Sequence, residues 1–181
     1  MRIIAGNHKG KKLHSVDGLT ARPTSDYNRE MIFSVLYSMH AIKGDVLDLF
    51  AGTGALGLEA ISREAKSATF VEASGKSISI IYQNIQDLKE EQKCYVFKNK
   101  VDYFLNNCTT QFDLIFADPP YDKSLVNETI YLIYEKNILK NNGVIIIEHS
   151  ITEPIDDMYK DSIIKQKINS KTIISFLEIK I

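Results

Sequence analysis

Apolar positions along the chain fall into two periods that alternate from Val46 onward. Short apolar runs at 46–50, 68–72, 95–98, 112–117 and 143–148 are bounded by turns and read as strands, the first of them buried. Between them, after the Ala51-Gly52-Thr53-Gly54 turn through Arg63, and over 75–88, 101–105 and 125–134, apolar residues recur at helical spacing. Strand and helix in alternation specify a parallel sheet covered on both faces, hence an α/β fold. The tail departs from this pattern. Residues 162–168 and 172–179 both read as strands, yet Asn169-Ser170 leaves no room for a crossover, so these two strands are antiparallel. At the other end, extended runs at 2–5 and 11–15 flank Asn7-His8-Lys9-Gly10 and predict a β-hairpin with a basic tip. A connector over 18–23 leads to Thr24, Ser25 and Asp26, which offer capping oxygens. Met31, Ile32, Val35, Leu36 and Met39 then mark a helix to about His40, closed by Gly44.

A length of 181 residues fits one domain, with 1–43 as an N-terminal hairpin and helix attached to a core over 44–181. With 44% hydrophobic and 25% charged residues the chain can build a core, which excludes wholesale disorder. The net charge of −1 excludes a uniformly basic nucleic-acid coat but conceals an asymmetry: the first 43 residues carry +4 and the remainder −5. The front of the chain is therefore expected to meet a polyanion through Lys9, Lys11, Lys12, Arg22 and Arg29. Cys94 and Cys108 lack metal-ligand or redox spacing, so no metal site is expected. Basic residues follow a very short apolar start, the reverse of a signal peptide, and the chain is expected in the cytoplasm as a monomer.

The chemistry is concentrated in two places. Gly52, Gly54 and Gly57 satisfy G-x-G-x-x-G between a strand and a helix, with Glu72 ending the next strand, where an acid binds ribose hydroxyls. Taken alone this fits a dinucleotide. Asp48 lies just before the glycines, however, where it would repel a pyrophosphate and attract a cofactor bearing an ammonium and a sulfonium, such as S-adenosylmethionine. A helix-capping or buried hydrogen-bonding role for Asp48 is equally compatible with its position. The second place is Asp118-Pro119-Pro120-Tyr121 at the end of the fourth strand, on the same sheet edge as the glycine loop. Two prolines fix a rigid turn and remove two N–H donors, which leaves carbonyl oxygens as the local polar groups. Asp118 and the Pro119 carbonyl can accept both N–H bonds of an exocyclic amine while Tyr121 stacks on its base. His149 follows the fifth strand, where a histidine more often completes a hydrogen-bond set than reacts; His8 and His14 flank the basic tip.

Together, Arg2-Ile3-Ile4-Ala5-Gly6, Gly10, Arg22-Pro23-Thr24-Ser25-Asp26 with Arg29-Glu30, the run Leu47 to Ala60 with Ser62-Arg63, Phe70-Val71-Glu72, Asn84, and Asp118 to Tyr121 resemble the RsmD family. Its members methylate N2 of one guanine, position 966 of 16S ribosomal RNA, using S-adenosylmethionine. The resemblance implies a class I, Rossmann-like methyltransferase fold of seven strands with the last antiparallel. It further implies that Asp48, Phe50, Gly52 and Gly54 line the cofactor, that Glu72 holds its ribose, and that Asp118 to Tyr121 hold the guanine amine. The hairpin and the Arg22 region would grip RNA. The chain departs from the family at Asn99-Lys100-Val101, where members often have Asn-Asp-Ala: Lys100 cannot accept a hydrogen bond from the adenine amine, while the Val101 backbone can still reach the ring. Ser25 stands for the usual threonine.

Rival readings fit less of the chain. A DNA adenine-N6 or cytosine-N4 methyltransferase presents the same motif to its base but usually carries a target-recognition segment, for which this length leaves no space. A small NAD-binding oxidoreductase conflicts with Asp48 and the antiparallel tail. A non-catalytic ribosome-assembly factor would have no use for intact Asp118 and Glu72.

Overall fold

The computed structural model describes residues 1–15, 26–42, 44–121, 123–169 and 171–178. The predicted connector, Arg22, the Thr24 and Ser25 caps and the end of the last strand lie outside them. Helix α1 (Asp26–Ser38) precedes β1 (Asp45–Leu49), α2 (Ala55–Ser62), β2 (Ser67–Glu72), α3 (Gly75–Leu88), β3 (Cys94–Lys98), α4 (Val101–Asn107), β4 (Phe112–Ala117), α5 (Leu125–Glu135) and β5 (Leu139–Ser150). A 3-10 turn (Asp157–Ser162) leads into β6 (Ile163–Asn169) and β7 (Thr172–Glu178). The strands form one seven-stranded sheet in the order β3-β2-β1-β4-β5-β7-β6. Strands β1 to β5 are parallel, and β7 runs antiparallel between β5 and β6. The α/β class and the antiparallel tail are as the sequence predicts.

Both faces of the central strands are covered because these strands carry apolar residues on both sides, whereas the edge strands β3 and β6 are largely exposed. Val46, Phe70, Leu114, Phe116 and Phe176 pack with α1, α2 and α3, while Leu47, Val71, Ile115, Ile145 and Leu177 pack with α4 and α5. Strand order reverses between β1 and β4, the position where an open α/β sheet leaves a crevice at its carboxyl edge. No helix among the described residues is long and apolar enough to cross a membrane.

The N-terminal segment is held differently from the predicted hairpin. One antiparallel bridge, Arg2 with Lys12, and backbone bonds from Ile3 N to Lys11 O, Gly10 N to Ile3 O and Leu13 N to Met1 O close it, and Ile3 and Leu13 are buried beneath. Past the bridge, the amides of Ile4 and Ala5 donate to the buried Glu59 carboxylate on α2, at 2.7 and 3.0 Å. Ser62 adds a second fastening: its carbonyl accepts from Asn7 N at 2.7 Å and its hydroxyl from His8 N at 3.0 Å. Gly6 lies against this contact at φ +84°, and a Cβ there would stand 1.8 Å from the Ser62 carbonyl oxygen. Gly6→Ala is therefore expected to destabilise the protein by about 2 kcal/mol or more, since it adds a backbone clash to left-handed strain. Urea denaturation measures the loss, and hydrogen exchange should show the Asn7 amide losing protection first. An unchanged midpoint would mean that the segment is not fastened to α2 in solution.

Candidate active site

Loops leaving β1, β2, β3 and β4 surround a cavity of about 850 Å³ at the strand-order reversal. The first loop contributes Phe50 and Gly52, the second Glu72, Ala73 and Ser74, the third Asn99, Lys100, Val101 and Asp102, and the fourth Asp118, Pro119, Pro120 and Tyr121. Helix α5 closes the remaining side with Leu125, Glu128, Thr129 and Leu132. Of the residues expected from sequence, Phe50, Gly52, Glu72, Val101 and the whole Asp118–Tyr121 turn share this wall. Asn99, Asp102, Glu128 and Thr129 were not expected there. Their position just past β3, or on the helix after β4, is the signal that finds them once the carboxyl edge is taken as the ligand edge.

The glycine loop is shaped by backbone needs and by packing. Phe50, Gly52 and Gly54 take φ of +57°, +55° and +76°, so the chain turns back twice within five residues. Gly57 answers a different demand, because a Cβ there would lie 2.4 Å from the Phe70 ring on β2. Glu72 pins the loop across the sheet: its two oxygens accept from Gly52 N at 2.9 Å and from Ser74 N at 2.7 Å. Each oxygen keeps a lone pair for a further donor such as a ribose hydroxyl.

Asp48 and Gly54 do not form part of the cavity wall. Asp48 is buried beneath the loop and accepts from Gly57 N at 2.9 Å. Gly54, the residue before α2, has no side chain to cap it, so Asp48 reaches over from β1 and takes the third-position amide that an N-cap oxygen normally takes. The helix-capping alternative left open by the sequence is thus realised. Burial, joined by repulsion from Asp118 and Glu72, pushes the Asp48 carboxyl up to about 8. Glu72 and Asp118 in the wall, Asp48 beneath the loop, and the apolar Phe50, Val71, Val101 and Leu132 suit a cationic, ring-bearing ligand. S-adenosylmethionine is of that type, and these residues fit it.

In the fourth loop, the Tyr121 hydroxyl donates to Glu148 Oε1 at 3.1 Å and lies 3.2 Å from Thr172 Oγ1. Burial first, then the neighbouring carboxylates, raise this phenol to about 12. His149 faces elsewhere: its Nδ1 meets the Ser150 and Glu153 carbonyls and its Nε2 the Ser175 hydroxyl, so it completes a buried hydrogen-bond set.

Lys9, Lys11 and Lys12 are exposed on the N-terminal segment. Asn84 of α3 links that segment to the glycine loop, donating to the carbonyls of His14 and Thr53 and accepting from His14 N. His8 and His14 pair with Glu90 and Asp87 near the end of α3, which further fixes the segment. Arg29 corrects a sequence expectation. Its side chain is 0% exposed and bonds to Asp26 and the Arg2 carbonyl, each at 2.7 Å, so no phosphate can reach it. Counting charges along the chain cannot show that one of them is turned inward.

The family described as Conserved hypothetical protein 95 matches residues 1–178. Ribosomal RNA small subunit methyltransferase D of Haemophilus influenzae is 36% identical over 171 residues, covering 92% of this chain and 88% of that protein. The chain belongs to the RsmD family. The Escherichia coli protein of the same name is 36% identical over 151 residues, 83% of this chain and 75% of its own length. The solved yhhF structure from Escherichia coli superposes on this RsmD-family chain with a TM-score of 0.89 at 32% identity, covering 99% of this chain and 98% of its own. Further structural neighbours at lower identity are S-adenosylmethionine-dependent methyltransferases, some solved with S-adenosylhomocysteine, and they share the fold.

Proposed function

We propose that this chain transfers a methyl group from S-adenosylmethionine to the exocyclic N2 amine of a guanine in small-subunit (16S) ribosomal RNA. The observation that carries the reading is the Asp118-Pro119-Pro120-Tyr121 turn at the wall of an acid-rich cavity, in a chain of the RsmD family. S-adenosylmethionine supplies the methyl on a sulfonium that is already a good leaving group, so the protein's tasks are positioning and charge. Asp118 and the Pro119 carbonyl accept the two N–H bonds of the amine and aim its lone pair into the cavity. Tyr121 stacks on the base, which must leave its helix to reach the turn. Phe50, Val71 and Val101 provide the apolar sides of the cofactor slot, Glu72 takes the ribose hydroxyls, and Asp48 contributes charge from beneath the loop. Lys100 donates rather than accepts, so the adenine is held here through the Val101 backbone.

Lys9, Lys11 and Lys12, fastened beside the glycine loop through Asn84, grip phosphates, and Arg22, outside the described residues, is given the same task from the sequence. The protein works as a cytoplasmic monomer on a small-subunit particle or assembly intermediate. Exchanging both Lys11 and Lys12 for Glu is expected to weaken RNA binding at low salt more than tenfold and to lower the slope of log Kd against log salt by about 2, one for each lost phosphate contact. An unchanged slope would reduce the segment to a clamp on α2.

The reading is tested in cells whose own enzyme of this specificity has been deleted. Expression of the chain should restore N2-methylguanosine at one position of 16S ribosomal RNA. Failure to restore it by a folded, expressed protein would overturn the assignment.

A further inference from the structure

Glu148 lies at the end of β5 and Thr172 at the start of β7, two strands that the guanine-binding turn does not belong to. Both nevertheless meet the hydroxyl of Tyr121, at 3.1 and 3.2 Å. We propose that Glu148 and Thr172 are positioning residues that hold the Tyr121 ring by its hydroxyl, so that its face is set for the target base before RNA arrives. The proposal rests on the guanine-methylation reading and adds to it a device outside the Asp-Pro-Pro-Tyr turn.

The chemistry fixes the direction of the chain of bonds. A carboxylate only accepts, so the phenol O–H points to Glu148 Oε1, and its oxygen is left to accept from the Thr172 hydroxyl. The phenol is held neutral, its pKa about 12, and therefore keeps the proton it donates. The anchoring Glu148 is 9% exposed, while Tyr121 is 41% exposed and lines the cavity where a base would enter. A tyrosine on a loop without such an anchor would sample several rotamers and lose that freedom on each base capture; a preset ring avoids the loss. RNA affinity is carried by phosphates, so the anchor should act on the fraction of bound complexes whose base is correctly stacked.

Steady-state kinetics on small subunits lacking the modification, with single and double variants, test this. Glu148→Ala should lower kcat about tenfold, leaving the KM for RNA and the Kd for S-adenosylmethionine within twofold of the parent. Glu148→Gln, whose amide oxygen still accepts, should recover most of the loss. Tyr121→Phe keeps the ring but loses both anchors and should fall at least as far as Glu148→Ala, and the double variant should be no worse than Tyr121→Phe alone. Losses that multiply in the double variant, or a Glu148→Ala protein with unchanged kcat, would overturn the proposal. A readout independent of activity separates it from the functional reading. With ¹³C-labelled tyrosine, the Tyr121 ring should give one rigid signal in the parent and a mobile, averaged one in Glu148→Ala. A rigid ring in both would sink the anchor even in an active enzyme. The rigid-to-mobile change in a protein that methylates no RNA would retain the anchor and sink the reading it serves.

Discussion

Asp118→Ala is expected to lower methyl transfer by about 10²–10³-fold, the range typical of deleting one preorganised polar group at a reacting centre. The guanine amine is a weak nucleophile because its lone pair is delocalised into the ring. A carboxylate that accepts one of its N–H bonds returns electron density to nitrogen and fixes where the lone pair points. Asp118 is held for this by β4 behind it and by the two prolines after it, whose fixed φ denies the turn other shapes. The cofactor slot is built mainly from other loops, so Asp118→Ala should bind S-adenosylmethionine within a fewfold of the parent, as calorimetry would show. Activity retained at the parent level would remove Asp118 from the mechanism. Loss of both binding and transfer would place it in the cofactor site instead.

Asp48→Asn should separate stability from function. The amide oxygen still accepts from Gly57 N, so the cap on α2 survives and only the charge is removed. In the free protein the Asp48 carboxyl sits at about 8 against an ordinary 3.8. Between those values the folded chain keeps a proton that the unfolded chain has released, so this group makes stability fall as pH rises from about 4 to about 8. Above about 8 its contribution is level. The variant should lack that decline and be the more stable protein at pH 8. A cation in the cavity reverses the preference and draws the proton off, so S-adenosylmethionine affinity of the parent should rise with pH up to about 8, with proton release on binding. Asp48→Asn should bind nearly as well as the parent at pH 6 and tenfold or more worse at pH 9. Calorimetry in buffers of different ionisation enthalpy measures both the affinity and the protons. A ratio of affinities that does not change with pH would remove the charge of Asp48 from cofactor binding.

Sequence periodicity located every parallel strand, because each is an apolar run closed by a turn. It also foresaw the antiparallel tail, because a two-residue link allows nothing else. What it missed has identifiable causes. Strand β5 begins at Leu139 and not near Gly143, since Phe112 pairs with Leu139 across a register shift while Lys140, Asn141 and Asn142 read locally as a turn. The N-terminal hairpin is shorter than predicted because, past the Arg2–Lys12 bridge, the chain is fastened to α2 through the Glu59 carboxylate. Arg29 turned inward because the N-terminal segment lies over that side of α1 and its Arg2 carbonyl takes the guanidinium. At the site, the Asp118–Tyr121 turn, Gly52 and Glu72 were legible as chemistry in the chain, Phe50 and Val101 only through the family resemblance, and the structure gathers them in one wall. Asp48 was legible both as a charge and as a cap, and only the fold names the partner, Gly57 N, that realises the cap. The Tyr121 contacts with Glu148 and Thr172 were not legible at all, because they join three separate strands' ends.

The central claim is the identity of the methylated atom. Purified chain incubated with methyl-labelled S-adenosylmethionine and small ribosomal subunits lacking the modification should place label in N2-methylguanosine, and Asp118→Ala should remove that label. Label found in N6-methyladenosine or in added DNA, with none in N2-methylguanosine, would contradict it.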